Sequence, residues 1–270
     1  MPDTLPYRNS LSRVSPAHLP SSGRRPLGPV PILEGHQMEP LNRRKMWAVL
    51  LPAMFLPGIA ALGYFVWLGD SPLAQVLYGS VKVFTLVWPL IATLFILKRP
   101  IRINLKSYKE HLRSVPLGLM VGVPILATIG LLMMTPIGDI VKEAAPMIQK
   151  KSDDLGVINH FILFGASISI FHSLIEEYYW RWFVYGNLRE VVSIKMAHFL
   201  AAFTFTLHHV VVMMQFFELP WAIFFSACVG VGGFFWSLLY QHQKTLIGAW
   251  VSHALVDAAL MSVGYYMIIY

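Results

Sequence analysis

Two adjacent acids and one base interrupt an otherwise apolar stretch, SLIEEYYWRWF at 173–183: Glu176, Glu177 and Arg181. On a helix, Glu177 and Arg181 stand four residues apart and can pair. Glu176 points about 100° away around the same helix. At helical spacing it meets only His172 and Trp180. One acid therefore reads as structural and the other as free. A free carboxylate in a low-dielectric cavity suits general-base work. The plainer reading is that both acids pair with basic groups on neighbouring helices and only hold the helices together.

Two later clusters add ionisable groups. FTLHHV places Phe205 four residues before His209, and SHALVD places His253 four residues before Asp257. A single histidine in a membrane helix is more often a hydrogen-bonded packing residue than a catalyst. Three polar clusters in three separate apolar segments point instead to one shared cavity.

The elements that must hold these clusters follow from composition. The chain has 270 residues, 56% hydrophobic and 13% charged, whereas a soluble domain is about 45–50% apolar and about 25% charged. The expected fold is an all-α, polytopic transmembrane helical bundle of about seven to eight membrane helices. A hydrocarbon core of about 30 Å needs about 20 residues per helix. Seven segments qualify, roughly 46–68, 74–97, 115–135, 157–185, 196–216, 219–240 and 245–269. Residues 138–151 read as a shorter interfacial helix or loop. Pro52, Pro57, Pro89 and Pro124 are tolerable inside a bundle. Residues 1–44, rich in Pro, Ser, Gly and Arg, read as a disordered basic cytoplasmic tail, and 45–270 as the membrane domain. Cys228 is the single cysteine and lies in an apolar run. It forms no disulfide framework and reads as a small buried hydrophobe.

The net charge of +7 is accounted for by loops rather than by nucleic-acid binding. Arg43, Arg44 and Lys45 precede the first span. Lys98, Arg99, Arg102, Lys106, Lys109 and Arg113 follow the second, Arg189 and Lys195 follow the fourth, and Lys244 precedes the seventh. If each span crosses once, all lie on one side, opposite Asp70, Glu218 and a mixed loop at 139–154. The positive-inside rule then puts the N-terminus in the cytoplasm and the C-terminus outside.

Gly186 and Asn187 are expected to end the fourth span at Tyr185, which places Glu176 roughly 14 Å from that end. His209 would lie about 20 Å, and His253 about 12 Å, along their helices from the same side. A charge at such depth marks a functional site by default. Tyr178, Tyr179, Trp180 and Trp182 fit an aromatic belt at the interface; a path for an apolar or lipidated substrate is the alternative.

Together, Glu176-Glu177-x-x-x-Arg181, Phe205-x-x-x-His209 and His253-x-x-x-Asp257 resemble the three motifs of the CPBP family of CAAX proteases and bacteriocin-processing enzymes. This family, also called ABI, includes the type II CAAX prenyl endopeptidases. The resemblance covers roughly 115–270. It implies an intramembrane glutamate-type endopeptidase (a hydrolase) in a bacterial-type inner membrane, acting on a membrane-associated protein or peptide, prenylated or bacteriocin-like. Glu176 and His209 would activate water. His253 and Asp257 would stabilise the oxyanion, with Glu177 and Arg181 supporting the site. Prenyl-protease members typically carry Asn where this chain has Asp257. An ionised Asp cannot donate to an oxyanion, so Asp257 either is protonated or orients His253 by accepting a hydrogen bond. The resemblance implies no cofactor. Zinc held by His172, His208, His209, His253 and Glu176 is the alternative, although no HExxH is present. The serine-protease GxSG and aspartyl GxGD signatures are absent. A non-catalytic immunity or scaffold protein of the same fold is the rival reading. A proton-relaying transporter is a further rival.

Overall fold

The computed structural model describes residues 40–69, 71–101 and 108–269. Among these no strand occurs, and seven helices are long and apolar enough to cross a membrane: α1 (Asn42–Trp67), α2 (Pro72–Ile96), α3 (Tyr108–Leu132), α6 (Ile158–Val191), α7 (Ile194–Met213), α8 (Leu219–Gln243) and α9 (Ile247–Ile269). Two short helices, α4 (Pro136–Glu143) and α5 (Ala145–Asp154), fill the stretch expected to be interfacial. The helix that becomes α1 begins at Pro40, so the last residues assigned to the tail are helical. The rest of the tail, with Asp70, Arg102 and Lys106, lies outside the described residues.

Large apolar side chains cover the outside of the bundle. Phe95, Leu131 and Leu163 are 72%, 65% and 70% exposed; in water this would be costly, and in lipid it is the expected facing. Cys228 is exposed as well, which corrects its reading as a buried hydrophobe: it is on the outward face of α8.

Inside, α9 packs against α3, α6 and α8, and α7 lies between α8 and α1. The α3–α9 contact depends on small residues one turn apart. A Cβ on Gly118 would collide with the backbone of Gly248, and one on Gly122 would press on Ser252. Such pairs let helix backbones approach closely in a membrane. Pro52, Pro57, Pro89 and Pro124 all sit within helices.

The basic loops gather at one end. Arg99 Nη1 pairs with Glu190 at 2.7 Å, Arg189 Nη1 donates to Gln241 Oε1 at 2.7 Å, and Gln243 Nε2 donates to the Ser114 carbonyl at 2.9 Å. The α2–α3 loop, the end of α6 and the α8–α9 turn therefore share one end of the bundle.

The fourth span differs from expectation in length. Gly186 keeps ordinary right-handed helical dihedrals, φ −55° and ψ −36°, and the Asn187 amide donates to the Phe183 carbonyl one turn back. Neither breaks the helix, which stops only where Val192 turns extended. Glu176 is thus 15 residues from the end at Val191, about 22 Å by helical rise rather than 14 Å, and near the middle of α6.

Candidate active site

The site is built where α6 is widened. Ile168–His172 and Glu177–Tyr185 are π-helical, on either side of Ser173–Glu176. A π turn holds more residues than an α turn, so consecutive side chains diverge by less than 100°. That lets Glu176 and Glu177 both face the interior.

Glu177 is fully buried and meets Arg181 Nη1 at 3.2 Å, the spacing the sequence anticipates. Arg181, 1% exposed, is held on its other sides as well. Its Nη2 donates to the Gly233 carbonyl at 3.2 Å, and the guanidinium lies 4.7 Å and 5.0 Å from the centres of the Phe205 and Trp236 rings. A Cβ on Gly233 would crowd both Phe205 and Arg181. The glycines at 230–233 were the sequence signal for this close approach.

Glu177 has a second partner that helical spacing could not reveal. His253 Nδ1 lies 2.8 Å from Glu177 Oε1. The same ring stacks on Trp236 at 3.7 Å and 16°, and the Trp236 Nε1–H donates to Ser252 Oγ. With Nδ1 turned to Glu177, the Nε2 edge of His253 faces Glu176 Oε2 and Asp257 Oδ1, each at 3.6 Å. The contact that orients His253 therefore comes from Glu177 on α6, not from Asp257 one turn away on α9.

Glu176 is not without neighbours, as its own helix suggested. Its side chain is 12% exposed, and Oε1 lies 3.4 Å from His172 Nε2 and 3.7 Å from His208 Nε2. His209 donates its Nδ1–H to the Phe205 carbonyl at 2.8 Å, which leaves Nε2 as the acceptor nitrogen. Ligand atoms of Glu176, His208 and His209 all lie within 4.8 Å of one another. The structure thus brings Glu176, His209, His253 and Asp257 to one polar cluster, with Glu177 and Arg181 buried beneath it. His208 belongs to it too, its ring parallel to Trp180 at 5.6 Å.

Of the four aromatic residues expected to form a belt, Tyr179 and Trp180 face inward instead, while Tyr178 and Trp182 are half-buried. Tyr179 and Trp180 are 1% and 3% exposed. The Tyr179 hydroxyl donates to the Ala53 carbonyl, and that of Tyr178 to the Leu86 carbonyl. They pin α6 to α1 and α2, because inward-facing positions on a central helix must be filled by bulk. A cavity of about 570 Å³ between α3, α4 and α9 is lined by Leu126, Met133, Ala258 and Ser262 among others; none of the site residues borders it.

A carboxylate and an acceptor imidazole in one cluster have the chemistry to activate a water. The family model for type II CAAX prenyl endopeptidase Rce1-like proteins matches residues 158–259. No curated protein and no solved structure matches the chain. The matched segment runs from α6 into α9 and carries all three motifs in order, in agreement with the resemblance to the CPBP family of CAAX proteases.

Proposed function

We propose that this protein is a metal-free intramembrane endopeptidase of the CAAX-processing type, hydrolysing a membrane-associated protein or peptide substrate. The observation that carries the reading is the convergence of Glu176, His209 and His253 from three helices at mid-depth, within the segment the family model matches. Glu176 accepts one proton from the water as it attacks the scissile carbonyl, His209 Nε2 holds that water by accepting its other hydrogen, and Glu176 then returns the proton to the leaving amine as the C–N bond breaks; general acid–base help of this kind is worth about 10²–10⁴-fold in rate. His253, doubly protonated and oriented by donating its Nδ1–H to Glu177, presents its Nε2–H to the developing oxyanion. Asp257 lies beside it and shapes the charge there. Arg181 neutralises Glu177, so the buried acid is held without competing for the water.

A substrate bearing a lipid or a hydrophobic segment, prenylated or bacteriocin-like, fits a site reached within the bilayer. The basic end of the bundle would face the cytoplasm of a bacterial-type inner membrane, in keeping with the positive-inside rule. Nucleic acid is not a partner in this reading.

The test compares new protein N-termini in membranes of cells that express wild type or Glu176→Ala at equal levels. Specific termini present only with the wild type are expected, and they would report the substrate and the cut position. Matching profiles would sink the protease reading in favour of a non-catalytic immunity or scaffold role.

A further inference from the structure

The basic end of the bundle carries a cavity that the catalytic residues do not touch. It has a volume of about 320 Å³ and lies between the start of α1 and the chain just past α2. Its lining is amphipathic. Asn42, Lys45, Lys98 and Arg99 supply the polar groups, and Ile96 and Leu97 an apolar wall. Deeper in the bundle the same two helices are tied where the Trp88 Nε1–H donates to the Val49 carbonyl at 3.2 Å. Phe95, 72% exposed, faces lipid just before the end of α2, so the cavity stands where hydrocarbon gives way to headgroups.

The positive-inside rule accounts for basic residues at this end, but not for two details. The first is backbone. The Arg99 N–H closes back on the Thr93 carbonyl at 2.9 Å, and the chain turns through Lys98 in the left-handed region, at φ +52°. Glycine ordinarily fills that position after a helix. A lysine there is strained, and the turn lays Lys98 and Arg99 beside α1. The second is charge. Arg99 meets Glu190 at 2.7 Å, but among the described residues no carboxylate pairs with Lys45 or Lys98. The cavity thus holds three cations against one carboxylate. α1 has no acid in its first turn, so the positive end of its dipole adds to the field.

We propose that this cavity binds the phosphate headgroup of an anionic membrane lipid, with the start of its acyl chains on Ile96 and Leu97. Basic pockets between membrane helices suit such headgroups. Lys45 and Lys98 meet the phosphate oxygens as point charges, and Arg99, steadied by Glu190, adds its planar fork. A soluble phosphate ester would gain from the same cations but not from the apolar wall. An occupied site ties the ends of α1 and α2 together and, through Arg99 and Glu190, joins them to the end of α6. The inference stands apart from the protease reading.

The experiment uses the full chain in micelles of an uncharged detergent and reads lipid binding by native mass spectrometry. The probes are phosphatidylglycerol and phosphatidylcholine with matched acyl chains. Phosphatidylglycerol should be retained in preference, and each lysine removed should weaken it by about fivefold. Lys98→Gly should therefore bind the lipid less tightly yet unfold at an equal or higher temperature, because glycine relieves the left-handed turn. Unchanged binding in that variant would show that Lys98 serves only the turn, and would overturn the site. Lys45→Gln/Lys98→Gly should lose about 25-fold. Lys109→Gln/Arg113→Gln removes the same charge outside the cavity and should change binding by less than about twofold. Equal loss in the two double variants would show a diffuse field and overturn the site, as would no preference for phosphatidylglycerol. Glycerol phosphate that displaces the lipid at equal concentration would overturn the lipid as occupant.

Discussion

At the scale of single residues, the centre is organised around one histidine with carboxylates on both edges. Glu177 takes Nδ1 of His253 at 2.8 Å, while Asp257 and Glu176 stand 3.6 Å from Nε2. Since Glu177 already orients the ring, the carboxylate of Asp257 is not needed for that purpose. Asp257→Asn is expected to retain or raise peptidase activity, because the amide can donate where an ionised acid cannot. Loss of most activity in that variant would show that the negative charge itself is required. Glu177 has a different burden. Removing it leaves Arg181 charged, buried and without its ion pair. Glu177→Ala should lower stability by about 3–5 kcal/mol, measured by denaturant unfolding in micelles. The double variant Glu177→Leu/Arg181→Leu should recover much of that loss. No recovery would mean that the His253 contact, rather than the buried charge, carries the cost.

At the scale of helices, the site exists because backbones come unusually close. Gly118 and Gly122 seat α3 on Gly248 and Ser252 of α9, and α9 carries His253 and Asp257. Gly130, further along α3, has open space where a Cβ would point. The two positions should respond oppositely to the same change. Gly118→Ala must push α3 from α9 and should cost about 1–3 kcal/mol. Gly130→Ala should be neutral or gain up to about 1 kcal/mol from helix propensity. Equal unfolding midpoints for both variants would contradict the close α3–α9 contact. The π-helical turns in α6 belong to this scale as well. Hydrophobic periodicity located the helix, but it could not report the widening, since the apolar pattern is satisfied by either winding.

For the whole molecule, the seven spans put the two ends of the membrane domain on opposite sides, and the basic residues collect at the end where α1 starts. Alkaline phosphatase fused after Tyr270 should be active in a bacterial host, as befits an external C-terminus, and a fluorescent protein there should be dark. The reverse pattern would invert the orientation and place the Arg99–Glu190 end outside. The direction of insertion is set by loop charge and the membrane. The bundle's outer surface, large and apolar at Phe95, Leu131 and Leu163, agrees with lipid on every side.

Much of this was legible in one dimension. Composition and runs of about 20 apolar residues determined an all-α membrane bundle, because lipid leaves the backbone few other ways to satisfy its hydrogen bonds. Buried charge in such runs marked Glu176, Glu177, Arg181, His209, His253 and Asp257, because its cost in a membrane demands a reason. The Glu177–Arg181 pair was visible because it lies within one helix turn. What only the tertiary structure decided are the contacts between helices: Glu177 to His253, Glu176 to His208 and His253, and Arg181 between Phe205 and Trp236. These join residues tens of positions apart, and spacing along a helix cannot encode which face of one helix meets which face of another. The end of α6 at Val191 was equally out of reach, because Gly186 permits a break without requiring one, and packing of Leu188 and Val191 in the core keeps the helix going.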